Sequence, residues 1–124
     1  MNIPEGHQAV MPYLIVEGAV DFLAFTQKVF NAELIFKQMR DEKTMMHAEI
    51  KVGNSTIMFT DATDQFPAHT AGLFVYVDNA DDAFQKAVLE GATIIMDLSD
   101  QDYGRTCGIK DPVGNVWWIT SVKN

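Results

Sequence analysis

His47 and Glu49 stand two residues apart in Met45-Met46-His47-Ala48-Glu49-Ile50, a stretch whose other members are apolar. Side chains two apart on a strand share a face, so an imidazole and a carboxylate come side by side. Such a pair can move a proton, and with His7 or His69 arriving from elsewhere it could complete a metal site of unusual composition. The same spacing also suits the solvated side of a strand or the rim of a pocket. A second candidate is Arg105, which with Tyr103 flanks Gly104 at a strand entry. Its guanidinium fork could hold a ligand carboxylate or phosphate, or pair with one of the chain's own acids. Cys107 is a possible nucleophile, but no His lies near it in sequence and no helix start precedes it to lower its pKa, so it reads as a buried structural thiol. The acidic runs at 61–64, 78–82 and 97–102 read as solvated loops and helix caps that could also draw in a cation.

The elements that must position these groups come in a repeat. Ile50-Lys51-Val52-Gly53-Asn54 before 55–60 echoes Ile109-Lys110-Asp111-Pro112-Val113-Gly114-Asn115 before 116–121. Each is preceded by a similar helix-like segment, at 24–30 and 83–89. In the first unit the apolar run 10–16 predicts a strand with Pro12 near its start, 19–30 a helix stopped by Asn31, and 33–39, 45–52 and 55–60 three more strands, the last two joined by a tight Gly53-Asn54 hairpin. In the second unit strands are expected at 73–77, 93–98, 105–110 and 116–121. Its helix runs from an Asp78 or Asn79 cap to about Glu90 and is closed by Gly91. Residues 61–70 turn polar and aperiodic, a linker between modules 9–61 and 71–122, and 99–104 reads as a polar loop on a mobile rim. The expected fold is α+β: two tandem βαβββ modules whose eight strands form a curved, cup-like mixed sheet with the helices on its convex face.

At 124 residues and 48% hydrophobic, the chain can bury a core as one domain, whereas a half-length unit alone would bury too little. The net charge of −8 argues against nucleic acid or an anionic membrane as partner, because phosphates would be repelled. Cys107 is alone, so no disulfide forms within the chain. With no leader-like run at residues 1–8 and no membrane-length apolar segment, a cytoplasmic location is expected.

Strand alternation places Leu14, Val16, Ile57, Phe59, Phe74 and Ile119 on one face and Met11, Tyr13, Ile15, Met58, Leu73, Val75 and Trp118 on the other. Trp117 and Trp118 point oppositely, Trp117 under a helix and Trp118 into a pocket. Neither face is polar, and two helices can cover only one of them. The second must enclose a ligand, a partner chain or its own packed interior.

The run from Tyr103-Gly104-Arg105 to Asp111-Pro112-Val113-Gly114-Asn115-Val116-Trp117-Trp118-Ile119 closely resembles the terminal motif of the vicinal oxygen chelate superfamily, the glyoxalase, bleomycin-resistance and extradiol-dioxygenase group. Pro12-Tyr13-Leu14-Ile15-Val16, followed by Phe25-Thr26-Gln27-Lys28-Val29-Phe30-Asn31-Ala32-Glu33, resembles that group's first strand and helix. The resemblance spans essentially the whole chain and implies the fold, but not one activity, since the group includes isomerases, thiol transferases, dioxygenases and drug binders. Metal-dependent members present His or Glu from the first and fourth strands of each module. The resemblance puts those positions on Met11, Met58, Leu73 and Trp118, none of which suits a hard or borderline divalent metal, so neither metal nor cofactor is expected.

The expected function is therefore metal-free binding of a small aromatic or cationic molecule, of the bleomycin-resistance type, which would allow a role in antibiotic resistance. Its lining would be Met11, Tyr13, His47, Met58, Leu73, Val75, Tyr103, Arg105 and Trp118. One alternative is a lyase or isomerase acting on a small metabolite through His47, Glu49 and Arg105. Another is a structural or regulatory dimer with a filled core. The resemblance and the apolar sheet faces together imply a homodimer.

Overall fold

The structure, a computed structural model, describes residues 1–122. Its elements run β1 (Tyr13–Val16), α1 (Ala19–Phe30), β2 (Glu33–Met39), β3 (Met45–Val52), β4 (Ser55–Asp61), β5 (Gly72–Tyr76), α2 (Ala80–Leu89), β6 (Thr93–Gln101), β7 (Gly104–Lys110) and β8 (Val116–Ser121). This is the expected α+β order of two βαβββ modules. The eight strands divide into two four-stranded mixed sheets, ordered β1-β4-β3-β2 and β5-β8-β7-β6. In each sheet the first and last strands of the module pair in parallel and the other pairs are antiparallel.

Helix α1 forms because its apolar residues recur at helical spacing: Phe22, Phe25, Val29 and Phe30 are all buried, and the buried Thr26 hydroxyl donates to the Phe22 carbonyl at 3.0 Å. It stops at Asn31, which takes the left-handed conformation (φ 54°), and the Ala32 N–H donates back to the Thr26 carbonyl at 3.1 Å. Phe22 meets Phe59 of β4 edge-on at 4.8 Å, and Phe30 lies 4.5 Å from the ring of Trp117 on β8. One helix thus contacts aromatic rings of both sheets, and Trp117, 1% exposed, is the side chain that ties the modules together.

Two carboxylates hold the ends of these strands. Asp61 closes β4 by accepting from the backbone N–H groups of Gly18 and Ala19 at 3.1 and 2.9 Å and of Met45 at 2.6 Å. Helix α1 has no side-chain cap of its own, so Asp61 satisfies its free donors and places negative charge at its N-terminus. Asp111 organises the Asp-Pro-Val-Gly-Asn turn, accepting from the N–H groups of Val113 and Asn115, from Asn115 Nδ2 and from the Trp117 indole at 2.8–3.1 Å. Helix α2 is capped locally, Asn79 Oδ1 accepting from Asp82 N–H at 3.0 Å.

Three expectations are corrected. β1 begins at Tyr13, so Val10 and Met11 lie outside it. Residues 99–101 belong to β6 and 104 to β7, because Ser99 pairs with Thr106 and Asp100 with Arg105; the polar side chains there edge a hairpin and are no loose rim. The faces of β5 are reversed, while those of β8 are as expected: Leu73 pairs with Trp117, Phe74 with Trp118 and Val75 with Ile119. Cross-strand partners share a face, so Leu73 and Val75 turn toward the helices and Phe74 joins Trp118 on the other side.

Candidate functional site

Each sheet packs a helix on one face and leaves the other open. On the first sheet the pairings run Tyr13 to Met58, Met58 to Glu49 and Glu49 to Phe36, one continuous row across all four strands. In the next row Ile15 stands beside Thr60 and His47 beside Gln38. On the second sheet the equivalent row is Phe74, Trp118, Gly108 and Met96. Tyr13, Phe36, Phe74, Tyr76 and Tyr103 are all more than 40% exposed, an unusual surface density of aromatic rings.

The structure brings His47 and Glu49 together, and His7 joins them. Nε2 of His7 donates to Glu49 Oε1 at 2.7 Å, and Nε2 of His47 donates to Oε2 at 2.9 Å. His7 arrives on an N-terminal arm fixed by the Thr56 hydroxyl, which donates to the Gly6 carbonyl at 2.6 Å, and by Gln8 Oε1, which accepts from Thr56 N–H at 3.1 Å. Burial pushes the Glu49 carboxyl up, but the imidazole hydrogen bonds outweigh it and hold the group below its ordinary value. His47 also stacks on Tyr13 at 5.8 Å and touches Phe36 at 5.9 Å. His69 lies elsewhere, its backbone bridging Ile15 along the edge of β1.

These three side chains converge on each other and not on a shared point. Among the described residues no cluster of three or more His, Cys, Asp or Glu is arranged to hold a metal ion. The positions where the resemblance places metal ligands, Met11, Met58, Leu73 and Trp118, supply no imidazole or carboxylate, and neither do the parallel pairs on the open faces, Tyr13 with Met58 and Phe74 with Trp118. The residues present do not fit the divalent metal of the group's metal-dependent members.

The remaining expected residues scatter. Met11 is half-buried ahead of β1, while Met58 is half-buried on the open face. Leu73 and Val75 line a cavity of about 340 Å³ with Pro12, Ile57 and Trp117, away from Trp118. Tyr103 stands 6.4 Å from Phe74. Arg105 is already occupied, with Nε donating to Asp81 Oδ1 at 2.8 Å and Nη1 lying 3.5 Å from Asp100, so its guanidinium is held by the chain's own acids. The bond to Asp81 is also the main cause that raises the Arg105 pKa. Cys107 is fully buried and its thiol is pushed up to about 11, chiefly by burial. Sequence reasoning missed Arg40, which reaches the open face of the first sheet from the β2–β3 hairpin; only its place at the end of a strand could have flagged it.

The family model for the Glyoxalase/Bleomycin resistance protein/Dioxygenase superfamily matches residues 9–119. The chain belongs to that superfamily. Its similarity to the uncharacterized protein Mb0911c of Mycobacterium bovis is 28% identity over 121 aligned residues, covering 88% of this chain and 80% of that protein. Among solved structures, protein PA1353 of Pseudomonas aeruginosa superposes with a TM-score of 0.78 at 18% identity, covering 94% of this chain and 99% of the other. TnmS3 of Streptomyces sp. CB03234, described as an antibiotic binding protein, gives 0.70 at 17% identity, covering 94% and 100%. At these identities the structures share the superfamily's fold with this chain, and activity is a separate question. Among the described residues no helix is long and apolar enough to cross a membrane.

Proposed function

We propose that this superfamily member binds a small aromatic molecule without a metal, holding it by affinity and making or breaking no bond. The observation that carries this reading is the open-face row Tyr13, Met58, Glu49 and Phe36 with its counterpart Phe74 and Trp118: flat rings and a thioether make up the parallel-strand pairs on both open faces. Aromatic platforms contribute about 1 kcal/mol per stacked pair beyond burial, itself on the order of 25 cal/mol per Å². The antibiotic binding protein of the same fold gives the reading a precedent in kind. A homodimer belongs to the same reading, since β2 has all seven residues exposed and would gain cover from a second chain, as does a cytoplasmic setting for the lone thiol.

The test is a thermal-shift screen of aromatic and cationic compounds followed by calorimetric titration of the hits. A compound that binds the native state raises the melting temperature by mass action. The reading predicts hits that keep their affinity in EDTA and weaken in Phe74→Ala or Tyr13→Ala. Affinity that vanishes on chelation and returns with Zn²⁺, Ni²⁺ or Mn²⁺ would defeat it.

The Glu49 cluster favours a second reading, an enzyme using Glu49 and His47 in proton transfer on a small metabolite. A carboxylate bracketed by two imidazoles at 2.7 and 2.9 Å is an acid-base arrangement. Turnover abolished by Glu49→Gln with binding intact would select it.

A further inference from the structure

The open face of the first sheet carries a guanidinium, Arg40, that forms no ion pair among the described residues. Nη2 of Arg40 reaches Thr60 Oγ1 at 3.5 Å and the Asp61 carbonyl oxygen at 3.4 Å, long contacts that leave most of the fork's donors unused. Two carboxylates stand near in sequence or space. Asp41 accepts the N–H groups of Lys43 and Thr44 on Oδ1, each at 2.8 Å, and the Arg40 charge adds to what holds its carboxyl below the ordinary value, but the two side chains form no ion pair. Asp61 spends both oxygens on Gly18, Ala19 and Met45. Arg105, by contrast, is bound to Asp81 and Asp100, and Glu49 on the same open face is covered by two imidazoles.

Arg40 also lines a cavity of about 400 Å³, with Tyr13, Ile15, Met46, Asp61, Thr63 and Phe66 among its other walls, the Asp61 carboxylate being hydrogen-bonded on both oxygens to backbone N–H groups. Phe66 is held there by a turn in the inter-module linker: its N–H donates to Thr63 Oγ1 at 3.0 Å and its carbonyl accepts from Thr63 N–H at 2.9 Å. The cavity therefore offers two aromatic walls, aliphatic and thioether surface, and one unpaired guanidinium. Its volume is that of a site for a one- or two-ring molecule.

We infer that this cavity takes a small aromatic anion, a planar ring bearing a carboxylate or an oxyanion of similar size. The ring lies against Tyr13 and Phe66, and the oxyanion meets the Arg40 fork, which matches two oxygens at once. A cationic ligand would face the guanidinium, and the acid on this face is already hydrogen-bonded on both oxygens. The inference narrows the aromatic-binding reading above and rests on it.

Three probes with one ring system test it: 2-naphthoate, neutral 2-naphthamide and cationic 2-naphthylmethylamine, titrated calorimetrically into the full chain. The expected result is naphthoate binding on the order of tenfold tighter than the amide, a preference that added salt erodes. Arg40→Gln should remove the preference, bringing naphthoate affinity down to that of the amide measured on the same variant. Arg40→Lys, which keeps the charge and loses the fork, should fall between. Amide and acid binding equally, or Arg40→Gln retaining the preference, would overturn the anion assignment and leave aromatic binding standing. Tightest binding of the amine would do the same in favour of a cation. If none of the three binds, the anion site and the aromatic-binding reading fall together.

Discussion

The six-membered ring of Trp118 occupies the space that a side chain on Gly108 would need: a Cβ built there would lie 2.7 Å from Cε3 of the indole. The two residues pair across β7 and β8 on the open face of the second sheet, so the bare backbone of one strand is the shelf for the ring of the next. Glycine serves here for close approach and not for unusual dihedrals.

Gly108→Ala should displace the indole and cost about 1–3 kcal/mol, the usual penalty for overpacking. The shift is to be read as a lower urea midpoint together with altered tryptophan emission. An unchanged midpoint and spectrum would mean that Trp118 has room to move and is no fixed platform.

Asp111→Ala strips the acceptor from four donors at once, those of Val113, Asn115 (backbone and side chain) and the Trp117 indole. Buried donors left unpaired cost about 1–3 kcal/mol each, so even with partial relaxation the loss should reach about 2–4 kcal/mol. Denaturant unfolding measures it. Asn115 also accepts Ala71 N–H at 3.0 Å, so hydrogen exchange at Ala71 should quicken in the same variant.

Glu49 sets an acid limit. Its carboxyl is held below 4.5 in the folded chain, burial pushing it up but the imidazoles of His47 and His7 pulling it further down. A depressed folded value means that the stabilisation is whole above 4.5 and drains away as the pH falls through the folded value. Melting temperatures followed from about pH 7 to about pH 3 should therefore drop more steeply for the wild type than for Glu49→Gln. Parallel curves would show that the cluster contributes nothing to acid stability.

Cys107, with its thiol pushed up to about 11 by burial, is almost entirely protonated at neutral pH. Iodoacetamide at pH 8 should leave the folded protein unmodified and label one site after urea unfolding, as counted by mass spectrometry. Labelling of the native state at a rate near that of free cysteine would reveal a local opening of β7.

What could be read from the sequence divides along physical lines. Elements set by local chemistry stood out: the Gly53-Asn54 hairpin, the Asn31 and Asn79 helix boundaries, and the Asp-Pro-Val-Gly-Asn turn each carry their signal within a few residues. The faces of β1 and β4 followed because the register fell correctly. β5 failed because Leu73-Phe74-Val75-Tyr76 is apolar throughout, so alternation has no contrast to read and only pairing with Trp117 and Trp118 fixes it. The His7 contact joins residues 42 apart, and the Arg40 contacts to Thr60 and the Asp61 carbonyl oxygen span 20 and 21; neither is a property of local sequence.

The two helices differ in how much of their leading end is closed locally. Asn79 gives α2 one cap from its own segment, the bond to Asp82 N–H, while Ala80 N–H donates to Ser121 Oγ on β8; α1 has no local side-chain cap and waits for a carboxylate that lies 42 residues beyond Ala19. As the polypeptide leaves the ribosome, the earlier helix thus remains unfinished until the end of its fourth strand has emerged. The amino-terminal half is committed to structure all at once, and a nascent chain halted before Asp61 should show a frayed leading helix.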